Sequence, residues 1–170
     1  MPSDATFSDR KPDVEVVGTV EAPIHQVWAL FRPFGIENLE WWKIYETMEI
    51  LPTGNDQVGC TRRFKLRNSD KTYDELLVER DDEKFLERYD FVKVEPPISG
   101  FKAASTFVEF TPFINPINPQ ENWTKVRWYS YTDASPFSLK EGLMKTQHTA
   151  YTNAIQYLNE ALNLKQQGAN

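Results

Sequence analysis

The feature that most constrains the fold is a long stretch at the end of the chain without helix breakers. Ser135-Pro136 is a typical helix start, and residues 137–164 contain neither proline nor a cluster of turn residues. At about 100° per residue, one face of this segment is apolar or small and the opposite face is polar. The first face comprises Leu139, Leu143, Gln147, Ala150, Tyr151, Ala154, Leu158 and Leu162. The sequence therefore predicts one long C-terminal helix that packs along one side.

The middle of the chain has a different pattern. Runs rich in β-forming residues alternate with turn clusters, which predicts six strands. These strands are expected at 45–51, 57–67, 72–80, 84–95, 102–113 and 123–133. Another strand is expected at Val14 to Val20, followed by helical spacing over 24–31 and a short helix over 36–42.

This order of elements predicts an α+β domain in which a seven-stranded antiparallel sheet curls around the final helix. The 170 residues are enough for a single domain with its own core. We expect that domain to span residues 14–164, with a disordered tail at residues 1–13 and a short tail at residues 165–170.

Charge and cysteine content argue against several kinds of partner. A net charge of −6 and no run of basic residues among aromatics disfavour nucleic acid. Cys60 is the only cysteine and there are two histidines, so we expect neither a metal site nor a cofactor. The start of the chain does not resemble a secretion signal, and no apolar run reaches membrane-spanning length. We therefore expect a cytoplasmic protein, and nothing indicates its oligomeric state.

Several local segments carry a resemblance to a known superfamily. They are VVGTVEAPIHQVWALF near the start, Val58-Gly-Cys-Thr-Arg62, the hairpin Glu75 to Glu83, Pro97-Ile-Ser-Gly-Phe101 and Val126-Arg-Trp128. With the element order, they resemble the helix-grip superfamily of Bet v 1-type proteins, START-type lipid carriers and polyketide cyclases over residues 14–164. The resemblance implies a cavity for a small hydrophobic molecule between sheet and helix.

Two members of the superfamily are locally similar to this chain. Val58-Gly-Cys-Thr-Arg62 resembles a strand of the plant abscisic-acid receptors, and a similar run occurs in the lachrymatory-factor synthase. The ligand-binding lysine of the receptors corresponds to Glu46 here, and their gate sequence is replaced by Arg67 to Lys71. A hormone-receptor role is therefore not expected.

One arginine is a candidate for chemistry inside the cavity. Strict alternation places Arg62 in an apolar row with Val58, Cys60 and Phe64, where a guanidinium requires a carboxylate partner. On the next predicted strand Tyr73, Glu75, Leu77 and Glu79 share a face. Glu75 aligns with a pocket carboxylate of the receptors, whereas Glu79 matches the spacing of the proposed Arg/Glu pair of the synthase. Either pair could polarise a ligand and move a proton, or could only fix strand register.

Other residues are candidates for the cavity wall. Gln147, Ala150 and Ala154 are small or polar for a helix face that meets a sheet, which indicates either an unfilled space or close packing against a bulky residue such as Trp128. Of Trp41 and Trp42, we expect one in the core and the other at the cavity mouth. The predicted ligand contacts are Trp41, Trp42, Phe64, Leu77, Phe101, Phe107, Trp128, Gln147, Ala150, Tyr151 and Ala154.

These observations support three hypotheses on function. The first is binding or transport of a small hydrophobic molecule, such as a lipid, terpenoid, polyketide or aromatic metabolite. The second is a cofactor-independent cyclase, isomerase or dehydratase that uses Arg62 with Glu79 or Glu75 in the same cavity. The third is a protein with a filled interior that acts through its surface.

Overall fold

The structure, a computed structural model, describes Phe7, residues 9–52 and residues 55–168, with side chains through Asn163. The first part of the chain forms β1 (Val14–Val20), α1 (Ile24–Phe31) and α2 (Asn38–Trp41). Six strands follow: β2 (Tyr45–Leu51), β3 (Thr61–Leu66), β4 (Thr72–Asp81), β5 (Leu86–Glu95), β6 (Phe101–Ile114) and β7 (Asn122–Ala134). The helix α3 (Phe137–Gly168) ends the described region.

The strands form one antiparallel sheet of seven strands in the order β1-β7-β6-β5-β4-β3-β2. Consecutive strands from β2 to β7 are neighbours, as expected for strands joined by short turns. The first strand pairs with the last, so that Val14 lies opposite Ser130. The predicted α+β helix-grip architecture is confirmed.

Two element boundaries differ from the predictions. The strand expected from residue 57 begins at Thr61, because residues 57–60 form a turn in which the Cys60 N–H donates to the Gln57 carbonyl. Gly59 in this turn has a φ of +95°, a left-handed conformation that favours glycine. Val58 is consequently exposed rather than part of the apolar row. The second short helix is limited to residues 38–41, compared with the expected 36–42.

The two short helices close one end of the sheet with aromatic side chains. Phe31 of α1 contacts the rings of Phe110 and Trp128 at centroid distances of 4.9 and 5.6 Å. Trp41 and Trp42 stack on each other at 5.1 Å, and both are buried. Neither tryptophan is exposed, since the chain turns directly after α2 and directs both rings inward. Trp41 lies in the core, as expected for one of the two, and Trp42 lines the cavity described below.

The helix α3 crosses the sheet closely at its middle and C-terminal part. A Cβ atom at Gly18 of β1 would lie 3.0 Å from Cδ1 of Ile155, so the absence of a side chain at position 18 permits this approach. Ala154 and Leu158 on the same helix are fully buried. One turn earlier, at Ala150, the helix faces open space instead.

Part of the N-terminal region lies on the outer face of the sheet. The Phe7 ring contacts Phe107 and Tyr131 at 5.7 and 4.6 Å, and Asp13 accepts a hydrogen bond from the Thr132 N–H. Residues 1–6 and 8 of the predicted N-terminal tail, and residues 169–170 of the C-terminal one, lie outside the described residues. Within the described part of the chain, no helix is long and apolar enough to cross a membrane.

Candidate functional site

A cavity of about 150 Å³ lies between the inner face of the sheet and the N-terminal half of α3. Most of its wall is aromatic or aliphatic. The sheet and the loops contribute Trp42, Ile44, Tyr45, Phe64, Leu66, Tyr73, Glu75, Tyr89, Phe91, Val94, Ile98, Phe101 and Thr106. The helix contributes Leu143, Thr146, Gln147, Ala150 and Tyr151. A mostly apolar wall with a few polar groups is typical of small-molecule sites.

The cavity exists because α3 presents short side chains where the sheet curves away. Ala150 carries only a methyl group, and the Gln147 side chain bends towards β7, where its Oε1 accepts a hydrogen bond of 2.9 Å from the Thr132 hydroxyl. On the C-terminal side Tyr151 stacks on Trp128 at a centroid distance of 5.4 Å and closes the space. The predicted unfilled space therefore lies beside Gln147 and Ala150, and Ala154 packs beyond it.

One end of the cavity reaches the surface at the loop between β5 and β6. Ile98, Phe101 and Leu143 line this end and are only partly buried. The loop is attached to the start of α3 through Gly100, whose carbonyl accepts a hydrogen bond of 2.9 Å from the Ser135 N–H. A Cβ atom at Gly100 would lie 1.9 Å from the Ser135 carbonyl oxygen, so only glycine fits there. We infer that the cavity opens to solvent in this region, which is called the mouth below.

A buried ion pair forms part of the cavity floor. Arg62 on β3 lies directly opposite Glu75 on β4, and both side chains are 3% exposed. Nε and Nη2 of Arg62 each lie 2.6 Å from Oε2 of Glu75. Among the described residues no hydrogen bond reaches the other carboxylate oxygen, Oε1, and it is not sealed off among side chains. Because Glu75 lines the cavity, Oε1 is a hydrogen-bond acceptor that a ligand can reach.

Aromatic rings hold the arginine in place behind the carboxylate. The Arg62 guanidinium lies 4.1 Å from the centroid of the Phe34 ring and 4.9 Å from that of Tyr89, an arrangement that stabilises a cation away from water. Burial raises the pKa of Glu75, and the adjacent Arg62 opposes part of that rise. The two contacts of 2.6 Å from the guanidinium to one oxygen are those of an ionised carboxylate, and such a pair carries no net charge.

Three phenol groups surround this carboxylate. Burial raises the pKa of Tyr45 and Tyr89, and it raises the pKa of Tyr151 to about 12, with the charge of Glu75 adding to each rise. All three side chains therefore remain neutral at physiological pH. The Tyr89 oxygen accepts a hydrogen bond of 3.2 Å from Nε1 of Trp128, and the Tyr151 hydroxyl lies 3.2 Å from that of Thr106.

Trp42 also lines the cavity. Its ring packs against Tyr45 and Trp128 at centroid distances of 4.8 and 5.2 Å. Its buried indole N–H has no hydrogen-bond partner among the described residues. The neighbouring Trp41 differs, because its N–H donates to Oδ1 of Asn38 at 3.0 Å. An unpartnered buried N–H is costly, and this one is enclosed by protein atoms rather than open to the cavity.

A second buried ion pair lies outside the cavity, and the sequence patterns did not reveal it. Arg80 on β4 contacts Glu87 on β5 at 3.0 Å, and both side chains are nearly inaccessible. Nη2 of Arg80 also donates to the Arg32 carbonyl at 2.6 Å, and Nη1 lies 2.8 Å from Oδ1 of Asp56. Burial raises the pKa of Glu87 to about 7, although Arg80 and Arg62 oppose this rise.

The structure brings many of the predicted site residues together at the cavity. The wall includes Trp42, Phe64, Phe101, Gln147, Ala150, Tyr151 and Glu75. Five other predicted residues lie behind the wall and are buried: Trp41, Arg62, Leu77, Trp128 and Ala154. The chemical group of the ion pair that meets the cavity is therefore the carboxylate rather than the guanidinium.

Two predicted residues point away from the cavity, and strand irregularities explain both. The pairing of β4 with β5 shifts register between Leu77 and Glu79, so Glu79 faces outward and Arg80 takes the buried position. A similar shift between Phe101 and Ala103 in β6 leaves Phe101 at the cavity and places Phe107 on the outer face. There Phe107 stacks on Tyr129 at 5.0 Å. Glu79 is therefore not the partner of Arg62.

Several wall residues were not identified from the sequence. The most informative are Tyr45, Tyr89 and Thr106, which supply polar atoms. Alternation of Glu87, Tyr89 and Phe91 on β5 could have indicated that these side chains share one face. No three His, Cys, Asp or Glu side chains of the described chain are grouped so that they could hold a metal ion.

Comparisons with other proteins agree with this architecture. A chain from Nitrosospira multiformis has a TM-score of 0.67 at 17% identity, with 86% of this chain and 93% of that chain covered. An uncharacterized protein from Bacillus thuringiensis gives 0.70 at 15% identity, with 87% and 96% covered. The protein XoxI from Bacillus cereus gives 0.69 at 15% identity, with 89% and 98% covered. At such identities the likeness concerns the fold alone.

Sequence comparison identifies the family. No match to this chain was found among curated protein sequences. The profile of the family described as "Polyketide cyclase / dehydrase and lipid transport" matches residues 11–162, which is nearly the whole domain. The chain belongs to the polyketide cyclase, dehydrase and lipid transport family.

Proposed function

We propose that the protein binds a small hydrophobic molecule in the cavity between the sheet and α3. The observation that carries this proposal is the cavity of about 150 Å³ with an almost entirely apolar wall and a mouth beside Gly100. An apolar cavity of about this volume accommodates a benzene-sized molecule. A ligand the size of one ring, or the end of a longer chain that leaves through the mouth, fits this space.

Family membership supports the same proposal, since the family description includes lipid transport. A carrier requires only a cavity, a mouth and enough polar groups to orient its ligand. We also infer that the protein acts in the cytoplasm, where its one thiol, the buried Cys60, would remain reduced.

The test compares two variants on neighbouring positions of α3. Ala150→Leu places an isobutyl group in the cavity, whereas Thr149→Leu places the same group on the exposed side of the helix. Native mass spectrometry of gently purified protein, followed by extraction and identification of bound compounds, measures occupancy. We expect a hydrophobic compound with the wild type and Thr149→Leu and none with Ala150→Leu.

Equal occupancy in all three proteins would place the ligand elsewhere. A wild type that carries nothing, and whose NMR spectrum does not change with toluene, hexanol or a short fatty acid, would contradict the binding function. This result would favour the hypothesis that the protein acts through its surface.

A second candidate function is cofactor-independent catalysis in the same cavity. It is favoured by Oε1 of Glu75, an accessible carboxylate oxygen in an apolar space with a raised pKa. Such a group can take a proton from a carbon next to a carbonyl and return it to another atom, as an isomerisation or cyclisation requires. Arg62 would act as a positioning residue for Glu75.

The two functions differ in their response to Glu75→Gln, which removes the base and keeps the side-chain shape. Catalysis predicts that conversion of a bound substrate falls by about 100-fold or more while binding persists. If the protein is a carrier, neither the wild type nor Glu75→Gln converts the ligand, and the substitution alters only the ligand affinity. Product analysis of the extracted ligand after incubation with each protein distinguishes the outcomes.

A further inference from the structure

The polar groups of the cavity wall restrict the kind of ligand that the cavity can hold. At the floor, Oε1 of Glu75 is an open acceptor, because both close contacts from Arg62 end on Oε2. The indole N–H of Trp42, by contrast, is enclosed by protein atoms, although other atoms of the residue line the cavity. A well-matched ligand therefore offers one hydrogen-bond donor to Glu75 on an otherwise apolar body.

The charge at the floor restricts the ligand further. Arg62 and Glu75 neutralise each other, and Arg62 is enclosed by Phe34 and Tyr89 behind the carboxylate. Among the described residues that line the cavity, there is no cation to balance an acidic ligand. A ligand carboxylate would meet the Glu75 carboxylate in a nearly dry space, which disfavours it strongly. A cationic ligand would lose its hydration without an unpaired anion to receive it.

We propose, building on the proposed binding function, that the cavity takes a neutral alcohol or phenol about the size of one ring. Its hydroxyl group donates to Oε1 of Glu75. Carboxylic acids of the same size are excluded. The hydroxyl is the simplest group that is neutral and that donates to the carboxylate.

The experiment uses three probes that differ in a single substituent: toluene, p-cresol and 4-methylbenzoate. Titration of the ¹⁵N-labelled wild-type protein, followed by NMR, gives the affinity of each probe. We expect p-cresol to bind about tenfold or more tightly than toluene, because it adds a hydrogen bond to a charged acceptor. We expect no binding of 4-methylbenzoate at concentrations at which toluene saturates the protein.

A pair of variants tests the acceptor. Glu75→Gln removes the charge of the acceptor, and it should weaken p-cresol binding about 3- to 10-fold with little effect on toluene. The matched control is Glu79→Gln, because Glu79 lies on the same strand, is exposed and is not part of the wall. This control should leave the ratio of the two affinities unchanged. Equal ratios in all three proteins would contradict the proposed hydrogen bond to Glu75.

The possible failures separate the two proposals. If toluene and p-cresol bind equally well, or if 4-methylbenzoate competes with them, the hydroxyl preference is wrong and the binding function stands. If none of the three probes changes the spectrum, both the preference and the binding function are wrong. Because the probe series uses the wild-type protein, the result does not depend on whether a variant folds.

Discussion

Two of the arginine–carboxylate pairs between neighbouring strands of the described chain are buried, and they differ in what surrounds them. In the Arg80–Glu87 pair the guanidinium also contacts the Arg32 carbonyl and Asp56. In the Arg62–Glu75 pair the contacts of the guanidinium end on one carboxylate oxygen, and the other oxygen meets the cavity. The first pair is enclosed by polar contacts that link β4, β5, the end of α1 and the β2–β3 loop.

The comparison shows that burial of a charge does not by itself indicate a functional site. Both pairs are inaccessible to solvent, and burial raises the pKa of the carboxyl group in each. What distinguishes Glu75 is an acceptor atom without a protein partner, next to empty space. We interpret Arg80–Glu87 as a structural connection and Arg62–Glu75 as the polar end of a ligand site.

The largest expected effect is on the enclosed pair. Arg80→Met leaves Glu87 and the Arg32 carbonyl without their partner, and removing one member of a buried pair costs about 3–5 kcal/mol of unfolding free energy. Urea unfolding followed by circular dichroism measures this loss. The matched control is Arg63→Met, which breaks the more exposed pair with Asp74 and should cost about 1 kcal/mol or less. Similar losses in the two variants would contradict the structural role of Arg80.

The second-largest expected effect is a pH dependence of the unfolding free energy, which originates in the titration of Glu87. The pKa of this carboxyl rises from 4.5 to about 7 on folding, so the folded state holds a proton that the unfolded state releases. Its contribution to stability is complete below pH 4.5 and is lost as the pH rises through about 7, on the order of 3 kcal/mol in total. Between about pH 5 and pH 8 the wild type should lose stability relative to Glu87→Gln. Parallel curves for the two proteins would show that Glu87 does not titrate in this range.

An intermediate effect distinguishes the open and filled parts of the α3 interface. Ala154→Leu forces a larger side chain into a fully buried position and should cost about 1–3 kcal/mol. Ala150→Leu fills empty space one turn earlier and should leave the unfolding free energy within about 0.5 kcal/mol or raise it. Thermal and urea unfolding of the two variants give the comparison directly. Equal destabilisation would indicate that the space beside Ala150 is not open in solution.

The smallest expected effect concerns Glu79, which sequence spacing had suggested as an alternative to Glu75 for the partner of Arg62. Glu79 is exposed and lies opposite Arg88 in the register, away from Arg62. Glu79→Gln should therefore change stability by less than about 0.5 kcal/mol and leave p-cresol affinity unchanged. Calorimetric titration of Glu79→Gln with p-cresol, and of Glu75→Gln for comparison, measures these affinities. A loss of affinity in the Glu79 variant would require a different strand register.

The overall fold was predictable because its signals are local and repeated. Turn clusters delimit each strand, and a long segment without breakers defines α3. The predicted bounds of the seven strands and the final helix lie close to the observed ones. The start of β3 was the main exception, because Gly59 turns the chain where β-forming residues alone predict a strand.

The site was less predictable because the direction of a side chain depends on register. One added residue in a strand reverses which side chains face inward from that point. This explains why Glu75 and Phe101 lie at the cavity while Glu79 and Phe107 do not. Alternation correctly predicted which side chains face inward before each irregularity, and its predictions were wrong after it. Only the three-dimensional pairing of the strands resolved the choice between Glu75 and Glu79.

The pairing of the first strand with the last has a consequence for how the chain folds. Strands β2 to β7 pair with neighbours in sequence, so they can associate as soon as each hairpin exists. Strand β1 must wait for β7, and α3 follows only after that strand. During synthesis, the cavity can therefore be enclosed only after α3 becomes available. During synthesis on the ribosome, the apolar inner face of the sheet remains uncovered until the C-terminal helix has emerged, and a chaperone has its longest opportunity to bind at that stage.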